Sequence, residues 1–131
     1  MAGDAVDVLR LVPLLADLDD DEMILLADAM QPVTFGAGDT VTAEGAAADG
    51  FFVVESGDAA VSIQGEDRGA MGAGDCFGEV ALLTGSERTA TIRAISEMRC
   101  YRLAADDFRD IVENSPLIAW KLMQSLTDRM S

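Results

Sequence analysis

Gly50-Phe51-Phe52-Val53-Val54-Glu55-Ser56-Gly57-Asp58-Ala59-Ala60-Val61-Ser62-Ile63 carries the pattern that sets the fold. Two short β-rich runs, Phe51 to Val54 and Ala59 to Ile63, are separated by a turn at Gly57. The same punctuation continues on both sides. Thr40-Val41-Thr42, Thr89 to Ile95 and Met98 to Leu103 read as further strands, with Gly36, Gly38, Gly45, Gly69, Gly72 and Gly74 marking turns between the β-rich runs. Many short strands at this spacing indicate a sandwich, jelly roll or barrel. Gly-Ala-Gly-Asp occurs twice, at residues 36–39 and 72–75, each time just ahead of a strand. A jelly roll made from two similar Greek keys would produce such an echo.

Outside this β-rich part the text is helical. Val6, Leu9 and Val12, then Leu14, Leu15 and Leu18, form a short apolar face interrupted by Pro13. A second helix opens at Asp19-Asp20-Asp21-Glu22, where Asp19 is placed to cap it and Glu22 stands in capping-box register. The acidic residues suit the positive end of the helix dipole and need no metal to explain them. Leu26, Ala27 and Met30 continue its apolar face, and Gln31-Pro32 is expected to end it. After the strands, Ala105 to Glu113 reads as a helix broken at Asn114-Ser115-Pro116. The last stretch puts Ile118, Ala119, Leu122, Met123, Leu126 and Met130 on one side of a final helix. Trp120 falls at the edge of that stripe and is expected to pack on a neighbouring strand, with contact to a ligand or partner as the other reading. The expected organisation is one domain over 1–131: a helical part at 1–32, a jelly roll at 33–104 and two C-terminal helices at 105–131.

Composition narrows the function. The 131 residues fit one domain, long enough to bury a core without disulfide or metal staples. No apolar run approaches the roughly 20 residues needed to span a bilayer, and the N-terminus carries no secretory signature. A cytoplasmic location follows by default. Lys and Arg number 9 against 24 Asp and Glu, for a net charge of −15, which repels nucleic-acid backbones and anionic lipid. There is no histidine, so the commonest general base and commonest metal ligand are both missing. Cys76 and Cys100 match no zinc or redox spacing and read as buried structural thiols. No enzyme, no metal and no cofactor is expected.

The segment that carries chemistry runs from Phe77 to Ile92: Phe-Gly-Glu-Val-Ala-Leu-Leu-Thr-Gly-Ser-Glu-Arg-Thr-Ala-Thr-Ile. It reads as a strand end, a glycine, one helical turn from Glu79 to Leu83, a loop containing Gly85, and a strand starting near Thr89. Gly78 permits close backbone approach to a ligand, and the exposed N–H groups of the turn make an anion site. Arg88 returns from the loop with a planar fork suited to phosphate oxygens. Glu79 accepts hydrogen bonds, as from sugar hydroxyls, so phosphate plus sugar points to a nucleotide. The same residues also make sense as a loop closed by a Glu79–Arg88 ion pair. The residue types alone do not choose between these two readings.

The segment resembles the phosphate-binding cassette of the cyclic nucleotide-binding domain family, found in bacterial cAMP receptor proteins and regulatory subunits of cAMP-dependent kinase. The matching residues are Phe77-Gly78-Glu79-Val80-Ala81-Leu82-Leu83, then Arg88-Thr89-Ala90. The similarity extends upstream through Val12-Pro13-Leu14-Leu15, Phe35, Gly38-Asp39, Glu44-Gly45, Phe51-Phe52 and Glu55-Ser56-Gly57. Downstream it includes Phe108 and Asn114-Ser115-Pro116. The resemblance implies a double-stranded β-helix (jelly-roll) sandwich with flanking helices. It implies that Arg88 pairs with the cyclic phosphate, that Glu79 accepts from the ribose 2′-hydroxyl, and that Gly78, Glu79, Val80, Ala81, Thr89 and Ala90 complete the ligand site. Thr89 would stand near the purine. The implied ligand is cAMP, with cGMP next, and the implied role is a regulatory sensor acting on a protein partner or an effector domain. The alternative is a degenerate family member that serves as an interaction scaffold without ligand. Two departures stand out: Glu87 occupies the place where many members have proline, and the last helix ends near Ser131, short of the expected purine cap. No DNA-binding module is expected after it.

Overall fold

A computed structural model of the protein describes residues 2–12, 15–43, 45, 50–77 and 90–130, with side chains from residue 5 to residue 125. The elements in chain order are α1 (Ala2–Leu9), α2 (Asp20–Ala29), β1 (Gln31–Phe35), β2 (Thr40–Thr42), β3 (Gly50–Ser56) and β4 (Ala59–Ile63). These are followed by β5 (Glu66–Met71), β6 (Cys76–Phe77), β7 (Thr91–Ala94), β8 (Met98–Ala104), α3 (Ala105–Asn114) and α4 (Pro116–Met130). The strands form two four-stranded antiparallel sheets, ordered β1-β8-β3-β6 and β2-β7-β4-β5. Pairing is nested, β1 with β8, β2 with β7, β3 with β6 and β4 with β5, which is a long hairpin rolled into a jelly roll.

The run Phe51-Phe52-Val53-Val54 shows no polar alternation because β3 is covered on both faces. Phe52 and Val54 point between the sheets, where they meet Ala59, Ile92, Ala94, Met98 and Cys100. Phe51 and Val53 point the other way into a second core with Tyr101, Leu103 and the helices. The molecule therefore has three layers: helices, first sheet, second sheet. The outer face of the second sheet meets solvent, and its edge strand β5 carries Glu66, Asp67 and Arg68. Those charges, with Asp67 accepting from the Gly69 N–H at 2.8 Å, discourage pairing with another chain at this edge.

The repeated Gly-Ala-Gly-Asp is structural. In each copy the Asp carboxylate accepts from the first Gly N–H at 2.8 Å, and the second Gly takes a positive φ, +91° at Gly38 and +88° at Gly74. Each turn then exchanges two backbone bonds with one strand residue. Gly38 N–H donates to the Ala94 carbonyl at 2.7 Å and Ala94 N–H to the Asp39 carbonyl at 2.9 Å. Gly74 N–H donates to the Val54 carbonyl at 2.9 Å and Val54 N–H to the Asp75 carbonyl at 2.8 Å. Both turns are corners at which the chain changes sheets, so the sequence echo marks two equivalent corners of the roll.

The N-terminal helices pack through Val6, Leu9, Met23, Leu26 and Ala27, and Val12, Leu15 and Leu18 remain buried although α1 stops at Leu9. The capping box at α2 is present: Glu22 N–H donates to Asp19 Oδ1 at 2.8 Å, and Asp19 N–H donates to Glu22 Oε1 at 2.9 Å. The same Oε1 accepts from Lys121 Nζ of α4 at 2.6 Å, with the two side chains 12% and 22% exposed. Ser125 Oγ donates to Asp17 Oδ2 at 3.3 Å, one turn further along α4. The final helix is thus fastened to the entrance of α2 at two points. Trp120, expected against a strand, is instead 59% exposed, and Met123 is exposed as well. Of the expected apolar stripe, Ile118 and Leu122 join the core while Met123 is exposed; the side chains of Leu126 and Met130 lie outside the described residues.

The hydrogen bond to Glu22 raises the Lys121 pKa above its ordinary 10.5; partial desolvation opposes this, and the charges of Glu22, Asp19 and Asp17 add to it. With the folded value above the unfolded one, the pair's contribution to stability is complete below about 10.5 and fades as pH climbs through the raised value. Denaturant midpoints of wild type and Lys121→Met should therefore differ at neutral pH and converge in strong alkali. A constant gap across that range would show that the pair is not the source of the difference.

Candidate functional site

β6 and β7 bracket residues 78–89, and they belong to different sheets. β6 is the edge strand of the first sheet, and β7 lies inside the second, between β2 and β4. Of the predicted site residues, Gly78, Glu79, Val80, Ala81, Arg88 and Thr89 lie outside the described residues, as does the helical turn expected from Glu79 to Leu83. Ala90 is described and half-buried at the entrance to β7.

Both ends of the segment are tied down. Phe77 is buried and sits directly opposite Phe52 in the ladder. The two rings stack with centroids 4.8 Å apart and planes 7° from parallel, and Phe35 tilts onto Phe52 at 6.3 Å. An aromatic cross-strand pair of this kind contributes roughly 0.2–1 kcal/mol beyond small side chains. At the other end, Thr42 Oγ1 on β2 donates to the Ala90 carbonyl at 3.4 Å. Thr91 and Ile92 then enter the ladder opposite Ser62 and Val61. The strand expected from Thr89 to Ile95 is present as Thr91–Ala94 among the described residues; Thr89 lies outside them, and at Ile95 the chain turns away, its N–H donating to the Asp58 carbonyl.

Thr42 escaped the sequence reading. It was visible only as a strand residue, since its partner lies 48 positions away and nothing local marks a hydroxyl that will be buried.

Among the described residues no group of three or more His, Cys, Asp or Glu is placed to hold an ion. Burial pushes the Cys100 thiol up to about 12, so it stays protonated and unreactive at neutral pH. Cys76, by contrast, is half-buried against the helical core, so the expectation of two buried thiols holds in full for Cys100 and in part for Cys76. Among the described residues no helix is long and apolar enough to cross a membrane.

Residues 32–115 match the cyclic nucleotide-binding domain, and the chain belongs to that family. Two proteins named uncharacterized NTE family proteins, from Mycobacterium bovis and Mycobacterium tuberculosis, are each 32% identical over 124 residues. The match takes in 94% of this chain but only 21% of theirs, so the chain spans about a fifth of their length. Among solved structures, the N-terminal domain of a transcriptional regulator from Streptomyces coelicolor A3(2) superposes with a TM-score of 0.81 at 32% identity, covering 95% of this chain and 92% of that one. The regulatory domain of Toxoplasma gondii PKA, crystallised with cAMP, gives 0.76 at 30% identity, covering 87% of this chain and 45% of that one. Domains of this family are regulatory rather than catalytic.

Proposed function

We propose that the protein is a cyclic nucleotide sensor that prefers cAMP over cGMP, and that residues 1–131 act as one regulatory module rather than an enzyme. The observation that carries this reading is the unbroken Phe77-Gly78-Glu79-Val80-Ala81 … Arg88-Thr89-Ala90 pattern in a chain of this family. In this reading Arg88 holds the cyclic phosphate, Glu79 accepts from the ribose 2′-hydroxyl, and backbone amides near Gly78 to Ala81 and at Thr89 and Ala90 complete the cradle. The likeness to a PKA regulatory domain crystallised with cAMP supports the choice of ligand. A net charge of −15 sets nucleic acid aside as a partner, leaving a protein or a further effector domain to receive the signal. A cytoplasmic location belongs to the same reading.

The ligand state is relayed by a population shift. Closure of the cassette on the phosphate repacks the C-terminal helices, and the attachments of α4 to Glu22 and Asp17 are the contacts that must yield or tighten. The test is calorimetry of nucleotide-free protein against cAMP, cGMP and linear AMP, paired with hydrogen exchange over residues 105–131. Binding of cAMP ahead of cGMP, little affinity for linear AMP, and changed exchange in the terminal helices are expected. No heat and no thermal shift with either cyclic nucleotide would make the protein a ligand-free interaction scaffold instead. Binding with unaltered exchange would remove the relay.

A further inference from the structure

Thr42 is one of only two buried polar side chains among the described residues, with 9% of its surface exposed. Its surroundings explain how a hydroxyl came to be placed there. β2 pairs with β7 out of regular step: Thr40 stands opposite Arg93 but Thr42 stands opposite Ile92, so two residues of β2 advance against one of β7. Successive strand side chains normally point to opposite faces. At this bulge Val41 packs against the core between the sheets, while the next side chain, Thr42, is buried too. Bulges occur beside functional sites because they re-aim a side chain. Here the re-aimed Oγ1 reaches the carbonyl of Ala90, 3.4 Å away, just before β7 begins.

Ala90 is the last residue of the proposed ligand site, two positions after Arg88. Its carbonyl stands immediately before Thr91, the first residue of the β7 ladder. We propose that Thr42 is a positioning residue for the cyclic nucleotide: by donating to the Ala90 carbonyl it fixes the exit of the cassette, so that Arg88 and the amides of Thr89 and Ala90 are presented to the phosphate before ligand arrives. This rests on the function proposed above. Pre-ordering of this sort raises affinity by removing the cost of ordering at the moment of binding.

The test compares wild type, Thr42→Val and Thr42→Ser, all as the full chain. Valine keeps the β-branched shape and burial but loses the donor; serine keeps the donor. A neutral hydrogen bond contributes about 1 kcal/mol, so Thr42→Val should weaken cAMP binding about five-fold, chiefly through faster dissociation, while Thr42→Ser stays near wild type. In nucleotide-free protein, amides at residues 88–92 should exchange faster in Thr42→Val than in the other two. A purely structural hydroxyl would lower the melting temperature of Thr42→Val without separating the affinities. Equal affinities for all three proteins, or equal exchange at 88–92, would overturn the assignment while leaving the sensor reading intact. Failure of wild type to bind either cyclic nucleotide would instead strike the sensor reading itself, and the positioning role would fall with it.

Discussion

Arg88→Ala is expected to weaken cAMP binding by roughly 30-fold to several thousand-fold. Truncating one partner of a desolvated charge pair costs about 2–5 kcal/mol, and each ~1.4 kcal/mol is a factor of ten. The surrounding charge makes the residue harder to replace than usual. With 9 basic against 24 acidic residues, the protein as a whole repels an anionic ligand, and attraction must come from the site itself. Arg88→Lys separates charge from geometry: it keeps the cation but loses the planar fork, so it should recover only part of the affinity. Folding should survive in both variants. Phe77 at one end and Thr91 to Ala94 at the other are held by ladder pairs with Phe52 and with Ala59 to Ser62, and by the Phe52–Phe77 ring stack. Calorimetric titrations of the three proteins with cAMP and cGMP measure this directly. Unchanged affinity in Arg88→Ala would remove the phosphate role.

Part of this molecule is legible residue by residue, and the reason is locality. The α2 capping box needs only Asp19 and Glu22, three positions apart, and both of its bonds form. The repeated Gly-Ala-Gly-Asp encodes its turn within four residues, because only the third position needs a positive φ and only the fourth needs an oxygen. The cassette pattern from Phe77 to Ala90 can be proposed from the sequence because its residues are contiguous, and residues 78–89 of it lie outside the described residues. What was not legible depends on distant partners. β1 begins at Gln31-Pro32, where the text suggested only the end of a helix; the strand lies at a sheet edge, where a proline without a ladder donor is tolerated. β5 reads as loop because an exposed edge strand has no buried face to impose alternation on Glu66-Asp67-Arg68. The apolar stripe of α4 overstates its contact, since Met123 and Trp120 are exposed. Thr42 is the sharpest case. Its placement is fixed by a bulge and a carbonyl 48 residues later, neither of which leaves a local mark.

Gly57→Ala should be the most damaging small substitution in the β roll. Gly57 has φ +89°, and a Cβ there would stand 2.3 Å from the Glu97 carbonyl oxygen and 2.7 Å from the Met98 Cα. Both are backbone atoms, so no side-chain rotation relieves the clash, and Met98 is completely buried between the sheets. Gly38 supplies the control. Its φ is +91°, yet an added Cβ there meets nothing within 4 Å. Gly38→Ala therefore isolates the conformational cost of a left-handed non-glycine residue, about 1–2 kcal/mol. Gly57→Ala adds to that the displacement of β8 from the β3–β4 corner, and roughly 3 kcal/mol or more is expected in all. For a domain whose total stability is about 5–15 kcal/mol, that is a large share, and a fall of about 10 °C or more in melting temperature should accompany it. The difference between the two variants measures the contact alone. Melting of Gly57→Ala within a degree or two of Gly38→Ala would mean that β8 does not rest against this corner, and the close approach that lets the chain cross there from one sheet to the other would have to be redrawn.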